Sequence, residues 1–390
     1  MGCSSAFFAK QNLGEDFRVA VIEKDPTYSR SSTPLSVGSV RQQFSIAENI
    51  QMSMFGAEFI KNLPAHLATE DDPQPDVQFH EGGYLFLASP GAGEATLQEN
   101  YELQRSLGAK VQSYDAEGLA AKFPWMNASD VSMGVLGIAN EGWFDPWSLL
   151  AAFRSKAKSL GVEFINDEVV GTEKDNNKIN AVTLASGERL ECGTVLNATG
   201  PWAGIFSEGV LGIEPFPVEA RKRYVYCFHC PEGPDLCPLL VDPTGVYVRS
   251  EGAGRKHFIC GQSPPEELDP AIENPCEESL EADHDFFNEA IWPVIASRVP
   301  AFEGIKVTSS WAGYYEYNTF DQNGIIGLHP DISNLLFANG FSGHGIQQAP
   351  AVGRAIAELV EHGKYITIDL DAFAYERILS DRPMREKNVV

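Results

Sequence analysis

Gly2 opens a run that reads as a helix through Lys10, and about twenty residues later Glu23 follows the apolar stretch Val19-Ala20-Val21-Ile22. This is the second half of a dinucleotide fingerprint. In that motif a glycine lets a helix pack closely on a strand, and an acid after the next strand bonds the ribose hydroxyls. The first strand and the glycines of the pyrophosphate turn would lie upstream of Met1, so a chain truncated at its N-terminus is expected. Two further units pass from strand through glycine into helix: Thr194 to Trp202, around Gly200, and Asn334 to Gly345, around Gly340, Gly343 and Gly345. Each presents free backbone amides at a helix start, where an anion or an electron-rich ring is favoured. Glycine turns also serve close packing. Three such units at nucleotide-fold spacing favour the nucleotide.

Other candidate chemistry is weaker. Cys227 and Cys230 have a CxxC spacing with Cys237 nearby, but they sit in an alternating stretch, Arg223 to His229, that reads as a half-buried strand without a second pair at zinc spacing. No metal is expected. Seven cysteines, an odd and scattered set, suit reduced thiols. Asn127 and Asn197 begin glycosylation triplets short enough to arise by chance.

The elements that must position these residues alternate between strand and helix, as an α/β nucleotide fold requires. After the strand at Arg18 to Ile22 comes a hydroxyl-rich segment, Tyr28 to Gly38, that reads as an ordered loop because Leu35 and Val37 lie within it. A helix is expected from about Ala47 to Leu63. Asp145-Pro146 caps and opens the next, and another lies around Asp283 to Ala296. Gly- and Pro-rich sequence from Asp72 to Trp143 reads as an inserted segment, and strand-rich sequence returns from Phe216 to Tyr317. The expected division is therefore 1–71, 144–215 and 322–390 for the nucleotide domain, with 72–143 and 216–321 for a substrate or cap domain. A chain of 390 residues can bury two such cores. Its net charge of −25 argues against nucleic acid or an anionic membrane as partner. No run approaches the ~18 apolar residues of a membrane span.

The runs Glu23 to Ser29, Arg41 to Ser45, Phe123 to Trp125, Glu141 to Trp147, Arg221 to Tyr226, Trp311 to Gly324 and Gly340-Phe341-Ser342-Gly343-His344-Gly345 through Pro350 resemble the D-amino-acid oxidase family of flavoproteins, which includes sarcosine oxidase and dimethylglycine dehydrogenase. Within it the chain is similar to mitochondrial members tied to assembly of respiratory complex I. The resemblance implies a Rossmann-like FAD-binding domain built from discontinuous segments, here without its first strand, and a mixed-sheet substrate domain over the ring. The truncated chain is then expected to hold FAD poorly.

By the same resemblance Gly2, Glu23 and Lys24 would serve the adenosine end. Ser32, Thr33, Ser36, Gly38 and Arg41 would face the pyrophosphate and flavin. Val169 would meet adenine, while Ala198, Thr199 and Gly200 would lie at the cofactor's middle. Gly343, His344, Gly345 and Ile346 would close over the ribityl chain and the ring's pyrimidine edge, where amides stabilise negative charge.

Family chemistry is hydride transfer to flavin N5 from the carbon beside an amine nitrogen, leaving an imine that water hydrolyses. Two cations that grip the substrate carboxylate in sarcosine oxidase align with Phe44 and Gln347, so charge-assisted bonds of ~1.5–3 kcal/mol each are missing. The flavin-linking cysteine aligns near Tyr314, which implies noncovalent FAD. Arg41, Tyr315, His344 and Gln347 are the catalytic candidates. The resemblance implies an FAD-dependent oxidoreductase that supports complex I assembly, with complex I subunits or intermediates as partners and a mitochondrial location, in the matrix or at the inner membrane. The alternative is an active amine dehydrogenase or oxidase taking a small secondary amine. An NAD-dependent dehydrogenase would account for the start of the chain but not for the Phe341 to Gly345 turn.

Overall fold

The computed structural model describes residues 1–252 and 256–387. On the nucleotide side two parallel strand pairs carry the architecture: Ala20–Ile22 beside Glu163–Ile165, and Val195–Asn197 beside Leu335–Asn339, which also pairs antiparallel with Ile325–Leu328. A three-stranded meander, Val169–Asp175, Lys178–Leu184 and Arg189–Glu191, turns at the Ser186-Gly187 signal.

The helix Gly2–Leu13 is buried from Cys3 to Lys10. It has no amphipathic stripe because it is covered nearly all round. Phe7 and Phe8 join Phe59 and Phe153, the last two stacked with ring centroids 5.3 Å apart. Against its other side lies the helix Gly345–His362, which approaches so closely at Gly353 that a Cβ there would sit 2.2 Å from Ser4 Oγ. Ser4 Oγ meanwhile donates to Ala349 O at 2.7 Å.

Strands from residues 72–143 and 216–321 form one eight-stranded mixed sheet in the order Lys306–Asn318, Val218–His229, His257–Gly261, Tyr247–Glu251, Leu239–Val241, Tyr84–Ala88, Met133–Gly137 and Val111–Asp115. Because successive side chains alternate faces, the register separates two sets. Tyr226, Phe228, Phe258, Leu240 and Leu85 face Phe287, Ile291, Ile295 and Phe302 in one core. Tyr84, Tyr247, Arg249, Arg223 and Tyr315 belong to the opposite face.

Some local expectations change. The helix expected to run to Leu63 ends at Lys61, and a second one, Leu63–Leu67, starts with Pro64 in its first turn, where a missing N–H costs nothing. The helix near Asp283 reaches Arg298 through a π-helical turn, Phe287–Ile291, immediately before Pro293, so the ring that would clash in a regular helix is accommodated. A short helix, Ser32–Leu35, interrupts the hydroxyl-rich loop. The Asp145 cap forms as read: its carboxylate accepts from the amides of Trp147 and Ser148, worth ~1 kcal/mol. Cys227 lies in the strand Val218–His229, and among the described residues the cysteines are unpaired and no cluster of metal ligands occurs. No helix among them is long and apolar enough to cross a membrane.

Candidate flavin and substrate cleft

A cleft with about 1190 Å³ of atom-free space, counting its mouth, separates the nucleotide side from the sheet. Two helix starts converge on it. Met1, Cys3 and Ser4 bring the first helix, and Gly345, Ile346 and Ala349 bring the helix Gly345–His362. The unpaired amides and positive dipole ends of both helices point to an anion. Ser32, Thr33, Ser36, Gly38 and Ser39 form a further wall, and the buried Ser32 Oγ has no hydrogen-bond partner within the protein. The segment is anchored to the sheet where Trp311 Nε1 donates to Leu35 O at 2.8 Å and Leu35 covers Gly313, whose lack of a side chain makes the approach possible.

From the sheet come Arg223, Tyr224, Val225, Tyr247, Gln262, Tyr314, Tyr315 and Glu316. Tyr315 lies against Gly343, with the Arg223 guanidinium 4.7 Å from its ring centre. Burial raises the phenols of Tyr315 and Tyr247, so both are neutral donors at ordinary pH. Glu316 Oε2 accepts from Gly340 N at 3.1 Å. Its carboxyl is pushed up to about 7 by burial, opposed by the amides of Gly340 and Phe341.

The sequence-predicted residues divide into three groups. Ser32, Thr33, Ser36, Gly38, Tyr315, Gly343, Gly345 and Ile346 are brought together on the cleft wall. Gly2, Glu23, Val169, Ala198, Thr199 and Gly200 lie off it, towards the parallel strands. Gly2 abuts Ala198, with 3.8 Å between a Cβ at Gly2 and Ala198 Cβ, and Glu23 N donates to Ile165 O at 3.0 Å. Thr199 folds back to bond Asn197 Oδ1 through both N and Oγ1. Burial raises the half-buried Glu23 carboxyl, which accepts from Asp25 N at 2.9 Å.

The third group sits differently from expectation. Lys24 turns outward to Glu168 (3.0 Å) and Cys276 Sγ (3.5 Å), because that surface offers it a carboxylate. Gln347 does not line the cleft: its Oε1 accepts from Arg41 N at 2.8 Å and Ser53 Oγ at 3.4 Å, tying helix to loop. Arg41 is buried beside the cleft, its guanidinium 4.3 Å from the Phe44 ring centre and 5.1 Å from that of Phe86. His344 packs edge-on to Phe44, with Nε2 buried and unpartnered. Burial, aided by the Arg41 charge, lowers its pKa to about 3, so it stays neutral.

Sequence reasoning passed over Arg223 and Tyr247 as site residues, and over the buried acid Glu141 outside the cleft lining. Glu141 is buried, accepts from Gln42 N (2.6 Å) and Gln43 Nε2 (2.9 Å), and is pushed up to about 7 by burial. The available signal was cross-strand: Arg223 and Tyr315 share one face of paired strands whose register only the fold supplies.

Comparison with known proteins accords with this geometry. The sequence profile of the FAD dependent oxidoreductases matches residues 1–359. The chain belongs to that family. Among similar proteins, the FAD-dependent oxidoreductase domain-containing protein 1 of Xenopus laevis is 47% identical, covering 100% of this chain and 83% of its own length. Glycine oxidase of Bacillus subtilis (strain 168) is 27% identical over 77% of this chain and 75% of its own. L-proline dehydrogenase from P. horikoshii superposes with a TM-score of 0.84 at 25% identity, covering 98% of this chain and 96% of the other. As for other FAD dependent oxidoreductases the cofactor is FAD, and the residues present suit it: two helix starts for the diphosphate, the unpartnered Ser32 hydroxyl, and the glycine turn at Gly343 and Gly345 on the cleft wall.

Proposed function

We propose that this FAD-dependent oxidoreductase acts on the C–N bond of a small amine. The carrying observation is the apposition of Tyr315, Tyr247 and Arg223 on the sheet to the Gly343 to Ile346 turn across one cleft. Bound FAD supplies the hydride acceptor. The chain's own residues do the rest. Neutral Tyr315 and Tyr247 orient the amine and exclude water, and the amides at the start of the helix Gly345–His362 stabilise negative charge gained by the ring. Tyr314, buried with its hydroxyl 3.2 Å from the Arg30 guanidinium, offers no sulfur for a covalent link, which favours noncovalent FAD. Anaerobic addition of sarcosine, dimethylglycine, proline and simple methylamines to the FAD-loaded protein tests the reading. Bleaching of the flavin bands by one of them is expected, and retention of the bands with all of them would overturn it.

A second reading has its own support. Phe44 and Gln347 stand where related oxidases grip a carboxylate, and in this fold Phe44 packs on Arg41 and His344 while Gln347 is engaged internally. The flavin would then serve a mitochondrial protein that assists assembly of respiratory complex I. Affinity capture from mitochondria by the FAD-loaded protein should retrieve complex I intermediates. Recovery unchanged from a bead control would remove this reading.

A further inference from the structure

Arg223 is the one basic side chain among the described residues lining the cleft, and its fork is already filled. Nη1 and Nη2 donate to the two oxygens of Asp269 at 2.6 and 2.8 Å, Nη1 also donates to Lys222 O at 2.9 Å, and buried Nε has no partner. Asp269 is 6% exposed, although its neighbours Glu266, Glu267, Leu268 and Pro270 are exposed, Leu268 at 67%. The acid is thus an inward-pointing member of an otherwise outward strap, residues 262–283, laid along the rim of the sheet. Polar contacts hold this strap: an isolated bridge between Arg221 and Ala271, Lys222 to Glu278 (2.6 Å), Arg30 to Pro275 O (2.8 Å) and Trp202 Nε1 to Cys276 Sγ (3.3 Å). No residue of 264–270 belongs to a buried apolar cluster, so lifting that stretch uncovers chiefly the Asp269–Arg223 pair, and Arg221, 4.0 Å from Asp269, still keeps Glu219 at 2.6 Å. Emptying a buried guanidinium fork would leave its charge uncompensated, but exchanging one carboxylate for another keeps the pair intact.

We propose that Arg223 is the anion-binding residue of the cleft and that Asp269 occupies it in the resting protein, leaving when a ligand carboxylate takes the same two nitrogens. The inference rests on the oxidoreductase reading and narrows it. The preferred amine carries a carboxylate, gripped from the sheet by Arg223 rather than from the positions of Phe44 and Gln347. Tyr315, stacked on Arg223, lies within reach of the same group.

The test uses unreactive probes on the FAD-loaded protein, read by perturbation of the flavin visible spectrum, so absence of amine oxidation leaves it standing. Asp269→Asn should bind benzoate at least tenfold more tightly than the wild type. Adding Arg223→Met should abolish that gain, and benzamide should bind all three alike. Equal benzoate affinity in the wild type and Asp269→Asn, or undiminished tightening in the double variant, would overturn the proposal. Should Asp269→Asn not fold, the wild type decides. Saturating benzoate, unlike benzamide, should speed amide hydrogen exchange in residues 264–270 several-fold, and unchanged or slower exchange would overturn the proposal too.

Discussion

Gly343 and Tyr315 touch across the cleft so closely that a methyl on Gly343 would lie 2.5 Å from Tyr315 Cε2 and 2.8 Å from its hydroxyl oxygen. Gly343 also holds φ at +98°, a conformation that strains any residue with a Cβ. Tyr315 has little room to yield, since Arg223 stacks on it. Gly343→Ala should therefore lose FAD affinity by about tenfold or more, as the turn must open by an ångström or so. Gly343→Ala/Tyr315→Ala should recover part of the loss, leaving only backbone strain of ~1 kcal/mol. Equilibrium dialysis against FAD measures both. Equal losses in the single and double variants would show that the ring contact is irrelevant.

Close approach decides a second case. The helices Gly2–Leu13 and Gly345–His362 meet where Gly353 faces Ser4, and a Cβ would fall 2.7 Å from Ser4 C as well as 2.2 Å from its Oγ. Backbone cannot swing away as a flexible side-chain tip can. Gly353→Val should lower unfolding free energy by ~2–3 kcal/mol through overpacking and should weaken FAD binding, because the same helix starts line the cleft. Urea unfolding gives the first quantity. A variant as stable as wild type would mean the helices have slack that the geometry denies.

Glu23 tests the ribose assignment at the far end of the site. It follows the strand Ala20–Ile22, whose pairing to Glu163–Ile165 fixes its position. Glu23→Gln keeps the shape and removes the charge, so a charge-assisted bond to the ribose hydroxyls should weaken by ~1–2 kcal/mol, or about tenfold in Kd for FAD. Affinity for FMN, which has no adenosine, should not change. A parallel loss with FMN would move Glu23 out of the ribose site and into general folding.

Local signals made the nucleotide half readable. Gly2, Glu23, the Asp145-Pro146 cap and the turns at Gly200 and Gly343 each depend on near neighbours in sequence, so the residue types themselves carry the information. The substrate face was less legible. Arg223, Tyr247 and Tyr315 come from three strands, and pairing of Val218–His229 with Lys306–Asn318 brings together residues about ninety positions apart. Gln347 misled for a related reason. Its place after the Gly-His-Gly turn suggested the cleft, but one helical turn carries the side chain towards Arg41 N and Ser53. Lys24 was drawn from a motif neighbour, and an available carboxylate on the opposite side, Glu168, took it instead.

Glu141 makes the pH dependence of stability measurable at one site. Burial lifts its carboxyl from 4.5 to about 7, against the amide of Gln43, the backbone N–H of Gln42 and the charge of Arg41, all of which favour ionisation. A raised pKa means that the folded state holds a proton the unfolded chain has released. The contribution is therefore fully present below pH ~4.5 and is lost as pH rises to ~7, a change of ~3 kcal/mol. Glu141→Gln mimics the protonated form at every pH, keeping an acceptor for Gln42 N. Relative to wild type it should gain ~3 kcal/mol in unfolding free energy between pH 5 and pH 8. The difference between the two proteins isolates this group from His344, whose depressed pKa pulls stability the other way, down as pH falls below its ordinary 6.5. Urea midpoints for both proteins at the two pH values decide the matter, and a wild-type-to-variant gap that stays constant would show that Glu141 is already ionised when the protein folds.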